Sequence, residues 1–301
     1  MTERPTKILR RLISEPGVII APGVADALNA RLVAAEGFKA IYMTGGGTSA
    51  VRLGMPDVGL LTMTEMVDNA GRIAEASGLP VISDADTGYG NPLNVRRTVR
   101  SYERAGVAAI HLEDQSLPKR CGHLAGKTLI STADMVAKIK AAVDARDDPD
   151  FMIIARTDAL TVEGFEAALA RGQAYEEAGA DMIFVESPLS MEHLAAIPKA
   201  FKVPSLLNIA SSGKTPQIGE EEINRLGFKL AIFPNFAILA AIPVVRAYLR
   251  ELHKTGSVAH LTKNMASFAE WFDAVGMEEV KALEERYGTP EHMRTSYDPH
   301  P

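Results

Sequence analysis

Four segments of the chain repeat one short pattern, in which a helix ends at glycine and an apolar run follows at once. They are Ala35-Glu-Gly-Phe-Lys-Ala-Ile-Tyr, Arg104-Ala-Gly-Val-Ala-Ala-Ile-His, Glu177-Ala-Gly-Ala-Asp-Met-Ile-Phe and Arg225-Leu-Gly-Phe-Lys-Leu-Ala-Ile. Glycine accepts the left-handed turn that closes a helix, and the residues behind it begin an extended run. Eight apolar runs can be placed in this way, at 18–21, 40–43, 80–83, 108–112, 152–155, 181–185, 204–208 and 230–233. They are continuous rather than alternating, as strands of a parallel sheet buried on both faces are. Eight strand-helix units in 301 residues predict a closed (β/α)8 TIM barrel over an open doubly wound sheet, and no Gly-x-Gly-x-x-Gly fingerprint opens a helix.

The segments between the runs carry amphipathic patterns, for example over 134–143 and 165–175, suited to covering a barrel. The whole chain, 1–301, reads as one barrel domain, with about 246–301 as a C-terminal helical extension. The aromatic cluster Phe268-Ala-Glu-Trp-Phe272 there is expected to cover the barrel or meet a partner subunit. With 47% apolar and 23% charged residues the chain is expected to be a globular enzyme, and a net charge of −6 gives no pull toward nucleic acid or anionic membrane. The longest apolar runs are broken by proline and too short to span a bilayer, and no secretory pattern opens the chain, so a cytoplasmic protein is expected. A single cysteine excludes an intramolecular disulfide.

In a TIM barrel the loops after the strands assemble the active site, so polar residues at strand ends carry the functional reading. The second run ends in Tyr42-Met-Thr-Gly-Gly-Gly-Thr48, a small-residue loop whose amides and hydroxyls suit a carboxylate or phosphate. The third ends in Ser83-Asp-Ala-Asp-Thr-Gly-Tyr-Gly90, where the period of two places Asp84 and Asp86 on one strand face. Two close carboxylates repel, and an oxygen-only set that keeps waters fits magnesium better than zinc. The fourth supplies His111 and Glu113, the fifth Arg156 for carboxylate recognition, the sixth Glu186 and the seventh Asn208. After the fourth run, Lys119-Arg-Cys-Gly-His123 surrounds the lone Cys121 with cations, which favour the thiolate.

With these residues placed, the chain resembles the isocitrate lyase and phosphoenolpyruvate mutase superfamily over roughly residues 8 to 275. Lys119-Arg-Cys-Gly-His123 is similar to the lyase signature, Asp84-Ala-Asp-Thr-Gly-Tyr-Gly90 to the metal loop and Tyr42-Met-Thr-Gly-Gly46 to the loop that binds a 2-oxo acid carboxylate. The chain's short length resembles the 2-methylisocitrate and 2,3-dimethylmalate lyase branch. The resemblance implies Mg2+, with Mn2+ as a substitute, held by Asp84, Asp86 and Glu113. Thr44, Gly45, Gly46 and Arg156 would hold the oxo-acid portion, and Asp57, Gly122, His123 and Asn208 would also bind substrate. Cys121 would protonate the departing carbon from a mobile loop. Tyr42, His111, Glu186, Lys119 and His123 would complete the catalytic set, with Tyr42 placed to take the hydroxyl proton. A homotetramer with a swapped C-terminal helix is implied as well.

Among reactions, the cysteine signature disfavours phosphorus chemistry. Methylisocitrate lyases of the family carry an arginine shortly after the strand-eight Tyr-Pro or Phe-Pro pair, where this chain reads Phe233-Pro-Asn-Phe-Ala-Ile-Leu239. Without that cation a third buried carboxylate lacks its partner, so Phe236 and Ile238 are expected to accept a methyl group instead. The loop Asn208-Ile-Ala-Ser-Ser-Gly-Lys-Thr-Pro216 also lacks the glutamate common in methylisocitrate lyases. Cleavage of 2,3-dimethylmalate to pyruvate and propionate is the leading expectation. The alternatives are methylisocitrate cleavage to pyruvate and succinate, oxaloacetate hydrolysis or decarboxylation, and a catalytically silent binding barrel.

Overall fold

Each glycine of the sequence repeat sits where a helix gives way to a strand, with φ of 80° at Gly37, 83° at Gly106, 101° at Gly179 and 96° at Gly227. These are left-handed values that side chains resist, which explains the repeat. The computed structural model describes residues 3–122, 126–211 and 213–296. Its eight strands are β1 (Ile19–Val24), β2 (Ile41–Met43), β3 (Val81–Asp84), β4 (Ala109–Glu113), β5 (Met152–Thr157), β6 (Met182–Val185), β7 (Ser205–Asn208) and β8 (Leu230–Phe233). All pair in parallel in sequence order, and β1 pairs with β8 from Ile19 opposite Leu230 to Pro22 opposite Phe233, so the barrel is closed. This is the (β/α)8 TIM barrel read from the sequence.

Side chains divide between two apolar layers by the alternation of each strand. Tyr42, Ile82, Ala109, Ile154 and Phe184 belong to one buried cluster, which also takes in Leu9, Leu12 and Ile13 of the helix Pro5–Ser14. That helix starts on a proline that fits its first turn, and its apolar residues recur at helical spacing, so one face closes the cluster. Ile41, Met43, Val81, Ile110 and Ile153 point the other way and pack with the surrounding helices, including Thr132–Ala145 and Phe165–Glu177.

The chain forms two compact units, Met1–Ala237 and Ile238–Pro301. The second contains most of the helix Phe236–Thr255 and the shorter helices Phe268–Ala274 and Met277–Arg286, none of which has a buried residue. Among the described residues no helix is long and apolar enough to cross a membrane.

Candidate active site

The barrel register brings the strand-end residues together. Asp84 pairs with His111 across β3 and β4, and Glu113 with Arg156 across β4 and β5. The strand period does not account for Asp86, however. β3 ends at Asp84, and Asp86 lies in the following turn at φ 47°, its backbone N–H donating to Asp84 Oδ1 at 2.9 Å. A turn closed by the first carboxylate, rather than a shared strand face, holds the second beside it.

The Thr44-Gly45-Gly46 segment also differs from a loop. Helix Gly45–Leu53 starts there, with Thr44 as its cap accepting from the Gly47 N–H at 3.2 Å. Threonine before a run of small residues is a helix start, and the freed amides with the helix dipole favour an anion at this point. Gly45 lies so close to Asp84 that a Cβ there would collide with its carboxylate.

Lys119 bridges two carboxylates. Its ammonium is 2.5 Å from both Asp57 Oδ1 and Asp86 Oδ1 and is almost fully buried. Burial works against that charge, but Asp86, Glu113, Asp84 and Asp57 more than offset it and hold Lys119 well above the ordinary lysine range. Burial likewise pushes Asp86 up to about 6, with Asp84 and Asp57 adding to the rise against the pull of Lys119. Burial also raises Glu113 well above the carboxylate range despite Arg156, 3.1 Å away. Asp84 goes the other way: against the effect of burial, the charges of Lys119 and Arg156 help to lower it. His111 Nε2 lies 2.9 Å from Tyr42 Oη. Burial takes His111 down to about 4, so the imidazole is neutral, and burial followed by the Asp84 charge keeps Tyr42 a phenol.

A cavity of about 50 Å3 opens at this mouth. Tyr42, Thr44, Gly46, Asp57 and Asp84 line one part, and Cys121, Gly122, Arg156, Glu186 and Asn208 another; Ala210, Pro234 and Asn235 complete it. Asp86, Glu113, His111 and Lys119 are buried around it without lining it. A larger cavity, about 240 Å3, lies at the opposite end of the barrel beside Val18, Ile19, Gly37 and Phe38. Chemistry rather than volume selects the smaller one, because it sits on the C-terminal mouth among convergent charges.

Several members of the site were not assigned from sequence. Asp158 accepts from Arg156 Nε at 3.0 Å and Nη2 at 3.1 Å, aiming the guanidinium. Asp114 sits beneath it, accepting from the Asp158 N–H, Thr157 Oγ1 and Tyr175 Oη. Asn235 accepts from Thr44 Oγ1 at 3.0 Å. Phe236, 40% exposed, opens the following helix and does not line the cavity, and Ile238 and Leu239 belong to the second unit. His123 lies outside the described residues.

The described residues contain no group of three or more His, Cys, Asp or Glu arranged as a metal set. The donors nevertheless suit a hard cation. Asp84, Asp86 and Glu113 offer only oxygen, and Glu113 Oε1 is buried with no hydrogen-bond partner among the described residues.

Fold and mouth place the chain in the class of (β/α)8 barrel enzymes. Residues 9–253 match the phosphoenolpyruvate phosphomutase family, and the chain belongs to it. It is 48% identical over 281 residues to 2,3-dimethylmalate lyase of Eubacterium barkeri, covering 93% of this chain and 97% of that one. It is 44% identical over 274 residues to 2-methylisocitrate lyase of Aeropyrum pernix, covering 91% and 88%. A crystal structure of 2,3-dimethylmalate lyase superposes with a TM-score of 0.93 at 39% identity, covering 99% of this chain and 100% of that one. A phosphonopyruvate hydrolase complex with oxalate and Mg++ gives 0.86 at 33%, covering 95% and 100%.

Proposed function

We propose that the protein is a magnesium-dependent carbon-carbon lyase that splits 2,3-dimethylmalate into pyruvate and propionate. The observation that carries this reading is the Cys121-Gly122 peptide lying over Arg156 and Glu186 and lining one small cavity together with Asp84. The helix start at Thr44, Gly45 and Gly46 and the Arg156 guanidinium receive the carboxylate of the pyruvate half. The substrate hydroxyl proton passes to Tyr42 Oη as the phenol hands its own proton to the neutral His111 Nε2, 2.9 Å away. The bond between C2 and C3 breaks, its electrons stay on C3, and the Cys121 thiol delivers a proton to that carbon. Glu186, held by Asn208 Nδ2 at 3.3 and 3.2 Å to its two oxygens, fixes the orientation of Arg156 and the substrate beside it. Asp57 lines the cavity and binds substrate, Lys119 serves the catalysis by holding Asp57 and Asp86, and His123 keeps the substrate-binding role the family signature gives it. Magnesium, when held by Asp84, Asp86 and Glu113, supplies Lewis-acid stabilisation of the negative charge that develops on the substrate oxygen.

The strand-eight end favours dimethylmalate over methylisocitrate. Pro234 and Ala210 give the cavity apolar surface, and Asn235 is neutral where a third carboxylate needs a cation. Pyruvate release with magnesium, compared across 2,3-dimethylmalate, 2-methylisocitrate, isocitrate and oxaloacetate, is expected to be fastest with the first. Preferred turnover of methylisocitrate would overturn the argument from Asn235. Acetate and oxalate from oxaloacetate would select the hydrolase, and ligand binding without turnover a silent barrel.

The same reading extends to assembly and place. One barrel domain with an extension from about residue 246 would form a homotetramer by exchanging C-terminal helices, in the cytoplasm. Supporting it, Ile242, Val244, Val245, Leu249 and Leu252 are each between 43% and 59% exposed on one helix, more apolar surface than a lone chain ordinarily leaves in water. Light scattering should return the mass of four chains; a monomer at micromolar concentration would refute the exchange.

A further inference from the structure

We infer that Lys127 is a positioning residue that ties the Cys121 peptide to the same carboxylate that aims Arg156. The inference rests on the reading of Cys121 as the proton donor. Lys127 is buried in the strand-four loop, and its ammonium donates at 2.5 Å to the Gly122 carbonyl and at 2.9 Å to Asp158 Oδ1. Asp158 is fully buried and simultaneously accepts from Arg156 through both of its oxygens. Asp158 cannot drift, because its N–H is bonded to Asp114, which Thr157 and Tyr175 hold in turn. One rigid carboxylate therefore orients the arginine that lines the cavity and, through Lys127, the peptide that carries the thiol.

The fit at Gly122 shows how tight this arrangement is. A Cβ there would lie 2.6 Å from Arg156 Nη2 and 2.8 Å from Glu186 Cγ, so the peptide is seated directly on the two side chains. On the other side of the thiol, the Cys121 N–H donates to the Asp57 carbonyl at 3.1 Å, and Gln115 exchanges hydrogen bonds with both backbone groups of Arg120. Those contacts fix the approach to Cys121. Lys127 is the charged side chain that fixes its exit, and a charge-assisted bond to a buried carbonyl is among the stronger restraints a lysine can supply.

The test uses the fact that Cys121 is the sole cysteine, so thiol alkylation reports on it alone. Lys127→Met keeps the stem and removes the charge, and Asp158 retains Arg156 as its partner. Iodoacetamide should then label Cys121 about tenfold faster than in the wild type, as local opening becomes easier. The kcat for pyruvate release should fall by up to about 10²-fold, with KM changed far less, because the thiol is misplaced rather than substrate binding lost. Lys127→Arg, which keeps a charged donor, should recover much of both. Alkylation within about twofold of wild type in a folded Lys127→Met protein overturns the inference, whatever happens to turnover. Should that variant not fold, Lys127→Gln is expected to give the same labelling result, and failure of both to fold assigns Lys127 a structural role instead. The labelling arm needs no substrate. A wild-type chain that releases no pyruvate from any dicarboxylate therefore refutes the lyase reading while leaving this one to be judged on its own.

Discussion

Cys121→Ser is expected to lower pyruvate release by about 10²- to 10⁴-fold while leaving the fold and metal binding in place. Serine matches cysteine in shape, and Cys121 is only half-buried, so the exchange opens no cavity of consequence. The bond from its N–H to the Asp57 carbonyl does not involve the side chain and is kept in the variant. What changes is acidity. A serine hydroxyl gives up its proton far less readily than a thiol, so the carbon left by bond cleavage loses its donor. Coupled detection of pyruvate together with a melting curve checks both halves of the statement. Turnover within about threefold of wild type would remove Cys121 from the chemistry and leave its loop a merely structural cover.

The barrel was legible because its signals are local. A glycine that must be left-handed followed by an apolar run recurs at four helix-to-strand junctions, and each junction needs only neighbouring residues to declare itself. Residues at the strand ends were legible for a related reason, since parallel register converts chain position directly into height in the barrel. What the sequence concealed depends on contacts across long separations. Lys119, two residues from the thiol, pairs with Asp57 and Asp86, partners far from it in the sequence. Asp114, Asp158 and Lys127 form a buried chain spanning two strand ends and a loop, and nothing in the spacing of those residues marks them as partners. Asn235 was hidden by its neighbour: attention to apolar Phe236 as a methyl-accepting wall passed over the amide that reaches the cavity. Asp84 and Asp86 lie together through the turn at Asp86 and not through a shared strand face.

Stripping divalent metal with a chelator is expected to abolish turnover, and magnesium to restore it, because the charges at the mouth do not balance without a cation. Asp57, Asp84, Asp86, Glu113, Asp158 and Glu186 converge there, and Lys119, Lys127 and Arg156 are the cations paired with them among the described residues. Six carboxyl groups against three cations cannot all stay ionised at low cost so far from water, and burial accordingly raises Glu113 and Asp86, which hold protons more readily when no further cation is there. Within the set Asp84, Asp86 and Glu113, Glu113 Oε1 has no hydrogen-bond partner among the described residues. A divalent ion at that point offsets two charges and engages the orphaned oxygen. Magnesium should therefore also stabilise the fold, which separates binding from activity. At a hundred times its dissociation constant a ligand adds about 2.7 kcal/mol, which for a chain of this size raises the melting temperature by about 4–5 °C. Asp84→Asn and Asp86→Asn should each lose most of that rise together with turnover, since an amide is a poorer ligand and relieves the repulsion that the ion would otherwise remove. A melting temperature that magnesium leaves unchanged in the wild type would move the metal away from these carboxylates.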